Sequence, residues 1–441
     1  MSAMAAPGLI DLGDIGADQA GRSYPPWRWR AVVAGAVALL CLPGLAGSRP
    51  SEVGLSPLWE AHNLWSPEFV VGARAVYAPT LRGPVTALDL ETGHTIWTMR
   101  ADQFPAVLDA GEFAAIGPTS QAATLVVDGS GSVVDTLPGW PVGATRSGRH
   151  LLLQDEVVDP DCPVSPWSCT RLSAWDLGDR TRAWSTVIHT LGVEVDESGR
   201  IVGVASVAND GSLEVRDPDS GRVRGRMGPV PLGDPSPFGT SSVILVRNTV
   251  ATVVPVDRDV LITAYRLPAP DAAWSLRLPV SELAPVDDRF NLTACGEMLC
   301  FEVGAVGTTF IDPGRGTVGL TMPHRVVGRL DGLLVTTSRI FQTGEDCLGC
   351  WDVSLVDPRT GPIATYPGSV AVPWTESDGH GLIATRGTAG TGFTVLGPDG
   401  TARAIGAVPG VQIRCSARRD VLICYGRNEL RAWRLPVHGR S

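Results

Sequence analysis

The stretch Val85–Trp97, VTALDLETGHTIW, decides how the rest of the chain is read. Val85, Ala87 and Leu88 sit among polar neighbours, as in a half-buried strand. Asp89 follows, then Thr92 and Gly93, which suit a tight turn, and then a second short strand ending in Trp97. Glycine accepts the positive φ that such a turn demands. One copy of this pattern predicts a hairpin. A recurring copy predicts a repeat fold.

It recurs. AWDLGDRTRAW carries Asp176 and Trp184, with Arg180 in the glycine position, and EVRDPDSGRVRG carries Asp217 and Gly221. AYRLPAPDAAW has Arg266 and Trp274, FIDPGRGTVGL has Asp312 and Gly316, and LVDPRTGPIAT has Asp357 and Gly361. Shorter copies centre on Asp128 and Gly397, and ELRAWRLP supplies Arg434. Anchors at 89, 128, 176, 217, 266, 312, 357, 397 and 434 lie 37–49 residues apart. That period, with several short strands in each copy, predicts an all-β β-propeller. Trp97, Trp184 and Trp274 are expected to pack between neighbouring blades, burying about 150–250 Å² each.

These residues resemble the pyrroloquinoline-quinone repeat family, whose pattern is ALDxxTGxxxW between two strands. Val85–Trp97 matches it best, and partial matches extend over roughly residues 67–435. The resemblance implies about eight four-stranded blades, and the nine anchors are compatible with seven to nine. It also implies a fold similar to the outer-membrane assembly lipoprotein of Gram-negative bacteria, a member of this family that binds a partner protein. The last hairpin, Val421–Leu435, lacks a following strand, and Leu55–Trp65 is placed to supply one and close the ring. Closure would remove exposed sheet edges.

The same family includes quinoprotein dehydrogenases, which carry an adjacent Cys-Cys pair and a calcium held by Glu, Asn and Asp. This chain has no Cys-Cys dipeptide, no recognisable calcium loop and no CxxCH haem site. No Ser lies in a G-x-S-x-G elbow, and without Lys there is no P-loop. The seven His are scattered, with no HxH or HExxH pairing. We therefore expect no catalytic residues, no metal and no cofactor. Nucleic acid is not an expected partner either: the net charge is −10 and no basic cluster is present. All 36 basic residues are Arg, a usage that resembles proteins of high-GC actinobacteria.

Ala31–Ser48 carries no charge, and its 18 positions span about 27 Å as a helix, close to a bilayer core. Arg28 and Arg30 precede it, so the positive-inside rule assigns residues 1–30 to the cytoplasm, 31–48 to a single-pass transmembrane helix and the rest to the extracytoplasmic side. Residues 49–66 then form a linker with the candidate ring-closing strand, and 67–441 the propeller. A cleaved signal peptide ending near Gly44-Leu45-Ala46 is the rival reading.

Eight cysteines lie beyond the hydrophobic stretch in four local pairs: Cys162/Cys169, Cys295/Cys300, Cys347/Cys350 and Cys415/Cys424. An even, paired set outside the cytoplasm reads as disulfides. CTRLSAWD from Cys169 and CWDVSLVD from Cys350 align, placing two of the pairs in equivalent hairpins of different blades. For Cys347/Cys350 a redox pair or half of a zinc site are the alternatives. The expected function is a membrane-anchored, extracytoplasmic, non-enzymatic scaffold for a protein partner. The alternatives are a quinone- or small-ligand-binding protein using the central channel, and the ectodomain of a signalling or cell-wall system. A ligand site calls for polar and aromatic residues converging at the ring's centre, a scaffold for an exposed apolar or charged rim.

Overall fold

The computed structural model describes residues 55–436, apart from 65–67, 81–82, 101–105, 118–122, 158–169, 231–241, 280–289, 304–306, 340–350 and isolated positions of one or two residues. The expected cytoplasmic segment and the hydrophobic stretch 31–48 lie outside the described residues. Every described helix or strand is a β-strand.

The strands form eight hydrogen-bonded sheets. Six are four-stranded and one, described below, has five strands. The seven-stranded one is two antiparallel meanders in series, sharing the long strand Thr181–Val195. Its first half pairs with Thr170–Asp176 and its second with Ile201–Ala208. Ile188 is the crossover, facing Thr170 on one side and Ala208 on the other. Among the described residues there are therefore nine four-stranded units. In chain order, blades 1 to 8 cover 70–100, 106–138, 140–188, 188–229, 242–279, 290–322, 325–366 and 369–409. Blade 9 takes three strands from 414–434 and its fourth, Ser56–His62, from ahead of blade 1.

That fourth strand lies antiparallel to Glu429–Arg434, with Ser56 opposite Arg434 and His62 opposite Glu429. A short strand in the blade 8 connection, Trp374–Thr375, runs parallel to Arg414–Arg418 and gives this sheet its fifth member. Neighbouring blades pack on one another through their inner strands, and Arg414–Arg418 of blade 9 packs on Val70–Val71 of blade 1. The units thus make a closed ring, a β-propeller whose last blade is completed by the strand that precedes the first.

Nine hydrophobic clusters hold the ring, each drawn from two neighbouring blades. Blade 1 shows why its residues make these strands. Ala75–Pro79 is buried at all five positions, whereas Thr95–Arg100 buries Trp97 alone among exposed or half-buried neighbours. Burial falls towards the outermost strand, where the sheet meets solvent on its edge. Each sequence anchor from Asp89 to Arg434 closes the third strand of its blade or follows it directly.

An antiparallel meander sends its connections alternately to two faces of the ring. One face holds the first-to-second and third-to-fourth turns. The other holds the second-to-third loops and the passages between blades. The four connections longer than eight residues, 157–169, 230–241, 280–289 and 340–350, are all bounded by strand ends on the second face. We call these the turn face and the loop face.

Candidate functional site

The turn face is built by the repeat residues. In blade 1, Asp89 Oδ1 accepts hydrogen bonds from the backbone N–H of Thr92 at 2.8 Å and from the Thr92 hydroxyl at 2.7 Å. Gly93, at φ +69°, donates its N–H to the Asp89 carbonyl. Asp217 is held alike by Ser220 in blade 4. Burial would raise the Asp217 pKa, but the Ser220 N–H and hydroxyl and the Arg224 guanidinium pull it down to about 2. These carboxylates are committed to their turns. Arg180, standing where the other turns have glycine, adopts φ +55°.

Each of four tryptophans lies on the turn glycine of the next blade. A Cβ built on Gly131, Gly221 or Gly316 would overlap Trp97, Trp184 or Trp274 respectively. The fourth case was not foreseen from sequence: Trp59 of the closing strand lies on Gly93. Trp59 Nε1 donates to the Leu90 carbonyl at 2.9 Å, Trp184 Nε1 to Pro218 at 3.1 Å and Trp274 Nε1 to Pro313 at 2.8 Å. The indole therefore caps the turn as well as filling the gap between blades, giving both its apolar face and its one donor a partner. At the blade 6–7 junction Leu320 takes the place of Trp, and its Cδ2 lies 3.9 Å from a Cβ built on Gly361. Asp312 and Asp357 hold their turns as Asp89 does.

A second turn-face group was invisible in sequence. Arg418, 8% exposed, pairs with Asp109 at 2.9 Å and with Glu376 at 2.6 Å, and donates to the Val71 carbonyl at 3.4 Å. Arg200 of blade 4 approaches the same Asp109 oxygen at 3.9 Å. Residues from the first-to-second turns of blades 8, 9, 2 and 4 thus meet at this end of the ring. Glu376, at φ +57°, is also held by Arg419. Burial pushes the nearby Tyr77 phenol up to about 12; Asp109 adds to this and Arg418 offsets part of it.

His150, Asp219 and Ser147 bring serine-hydrolase residue types together, but not in catalytic order. Ser147 Oγ donates to Asp219 Oδ1 at 2.6 Å, and His150 Nδ1 lies 2.9 Å from that same oxygen. The hydroxyl therefore faces a carboxylate rather than a base, and the group ties blade 3 to blade 4. On the loop face, Glu60, His62 and Glu429 bring three potential ligand atoms within 4.8 Å of one another. Arg431 bonds both carboxylates, Glu60 at 3.1 Å and Glu429 at 2.6 Å, so each already has a cationic partner.

Cys295–Cys300 in blade 6 and Cys415–Cys424 in blade 9 are disulfides, each joining a first strand to a second. Cys162, Cys169, Cys347 and Cys350 lie outside the described residues. In the sequence, both of those pairs fall between the second and third strands of their blades, blades 3 and 7.

No protein-family model matches the chain, so the quinone-repeat resemblance rests on Val85–Trp97 and its partial copies. No curated protein matches it either. Among solved structures, the computationally designed Ika8 protein is 10% identical, covering 86% of this chain and 99% of its own at a TM-score of 0.46. BamB from Moraxella catarrhalis is 11% identical, covering 86% of this chain and 99% of its own at a TM-score of 0.39.

Proposed function

We propose that this chain is a membrane-anchored, extracytoplasmic, non-enzymatic scaffold that engages a protein partner through the loop face of its propeller. One observation carries the reading: all four long connections emerge on the same face, while the opposite face is made of short, internally bonded turns. Repeat folds concentrate insertions on the surface they use for binding, because loops there vary without disturbing the stacked core. Two of the four connections hold the Cys162/Cys169 and Cys347/Cys350 pairs, which as disulfides would stiffen otherwise long loops. Anchoring rests on the uncharged stretch Ala31–Ser48 behind Arg28 and Arg30.

The test is photo-crosslinking of the full chain in its native membranes, with a photoreactive side chain placed at one exposed position per face. Asn428 reports on the loop face and Ser130 on the turn face. A discrete adduct from Asn428 and none from Ser130 is expected, with the chain staying in the membrane pellet after carbonate washing. Equal labelling from both faces, or release by carbonate, would overturn the scaffold face or the anchor respectively.

A further inference from the structure

The strand register shows where an inter-blade tryptophan belongs, and blade 4 lacks one. Trp97, Trp184, Trp274 and Trp59 each stand opposite an alanine of the third strand, Ala87, Ala174, Ala264 and Ala432 respectively. In blade 4 the same position is Gly225, opposite Val215 and eight residues after Asp217, as Trp97 follows Asp89. Blade 5 offers no turn glycine in return, since its turn reads LPAPD over Leu267–Asp271. Leu267 takes up part of the space, its Cδ2 lying 2.4 Å from a Cβ built on Gly225.

The rest stays open. On the turn face between blades 4 and 5 lies a cleft of about 280 Å³, at the small end of ligand pockets. Three of its lining residues hold the repeat positions that bracket an indole elsewhere. Val215 is the cross-strand partner, Arg224 precedes the missing ring, and Leu267 follows the anchor of the next blade. At three other junctions the carbonyl of that last position, Leu90, Pro218 or Pro313, accepts the indole N–H. Leu245 and Val215 are buried apolar walls, and Leu267 is half-buried.

Two exposed arginines, Arg224 and Arg247, complete the lining beside Glu194. Arg224 is paired with Asp217 and Arg247 with Glu297, while Glu194 accepts the Arg247 backbone N–H at 2.8 Å. The cleft therefore does not call for an anion. A guanidinium bonded through its edge still presents a flat face that stacks on an aromatic ring. Arg182 already lies over Trp175 in this way, 5.3 Å from the ring centre.

We propose that the cleft between blades 4 and 5 binds an indole ring, in the place where the repeat elsewhere supplies its own. This site lies on the turn face and does not depend on the loop face being the partner surface. The experiment uses the detergent-solubilised full chain and saturation-transfer NMR with three probes: indole, indene and N-acetyltryptophanamide. Indole should bind saturably with a Kd of roughly 1 mM, as suits so small a ligand. Indene has the same shape without the N–H and should bind about fivefold more weakly, the value of one hydrogen bond. Gly225 lacks a positive φ, so Gly225→Trp can restore the repeat's own ring once Leu267 turns aside. That variant should lose the indole signal with no fall in melting temperature, which also separates the site from uptake by detergent. Arg247 sits at φ +55°, where Asn is tolerated, so Arg247→Asn keeps the turn and removes one stacking face. It should weaken indole binding about threefold.

Binding by N-acetyltryptophanamide as well as indole would identify a tryptophan side chain of a polypeptide as the ligand. Binding by indole alone would identify a free small molecule. No saturable indole binding, equal binding by indene, or full affinity in a folded Gly225→Trp chain would overturn the proposal. Should Gly225→Trp not fold, full affinity in Arg247→Asn would overturn it instead.

Discussion

Trp59 lies flat against Gly93, joining the outermost strand of blade 9 to the third-to-fourth turn of blade 1. A Cβ placed on Gly93 would fall 2.5 Å from Cδ2 of the indole. Gly93→Ala therefore meets two penalties, the strain of an alanine at φ +69° and the overlap with the ring. Together they should cost about 2–4 kcal/mol in urea unfolding. Gly148→Ala isolates the first penalty, since Gly148 has φ +70° but nothing within 4 Å of a Cβ. That variant should lose only about 1 kcal/mol. Equal losses at the two sites would show that the ring contact is not what Gly93 is for.

Trp59 itself can be taken apart in two steps. Trp59→Phe keeps an aromatic face on Gly93 and removes the donor to the Leu90 carbonyl, which should cost about 1 kcal/mol. Trp59→Ala also empties the space between blades and should cost about 3–5 kcal/mol. Urea midpoints at constant slope give both values. If Ala and Phe are equally costly, the hydrogen bond rather than the packing holds the closing strand.

The disulfide Cys415–Cys424 joins directly opposed residues on the first and second strands of blade 9, nine positions apart in sequence. Replacing both with Ala keeps the positions apolar and frees the unfolded chain. The loop-closure estimate gives a loss of about 2–3 kcal/mol. Peptide mapping without reductant should recover 415 linked to 424 and 295 linked to 300. A different pairing would contradict the blade geometry.

Alkaline titration reads the cluster around Arg418. The Tyr77 phenol, 7% exposed, has its pKa pushed up to about 12, first by burial and then by the Asp109 carboxylate. The unfolded tyrosine loses its proton near its ordinary 10, so this contribution is whole below pH 10 and is lost as pH climbs towards 12. A shift of this size corresponds to about 2–3 kcal/mol. Asp109→Asn removes a raising charge and leaves Arg418 to lower the pKa, so the phenol should ionise earlier in ultraviolet difference absorbance. An unchanged or later ionisation would mean that Asp109 does not act on Tyr77.

How much of this was legible in the sequence depends on range. Asp89, Gly93 and Trp97 lie within one hairpin, and their spacing reports the turn chemistry directly, so the repeat and the propeller could be read. The expected count was about eight blades, within seven to nine; the described residues form nine units, one per anchor, because each anchor closes or directly follows one third strand. What stayed hidden joins distant parts of the chain. Arg418 and Asp109 are 309 positions apart, and no local pattern says which Arg will meet which Asp across a ring. Trp59 lay within the segment proposed to close the ring, but its match to Gly93 needed the blade order. The junctions without Trp were opaque for another reason. Leu320 fills the space beside Gly361, and a single leucine carries no signature.

The order of strands in blade 9 sets a timetable for synthesis. Ser56–His62 is the first strand of the ring to be made, and its partner Glu429–Arg434 is the last. At about 5–20 residues per second the first strand waits roughly 20–75 s for that partner. Throughout that interval it is an unpaired edge, open to pairing with another chain. Its sequence, SPLWEAH, suits the wait: Pro57 withholds a backbone donor, and Glu60 adds a charge of the kind that discourages pairing at an edge. The strand that completes the ring is thus also the one whose residues discourage premature pairing.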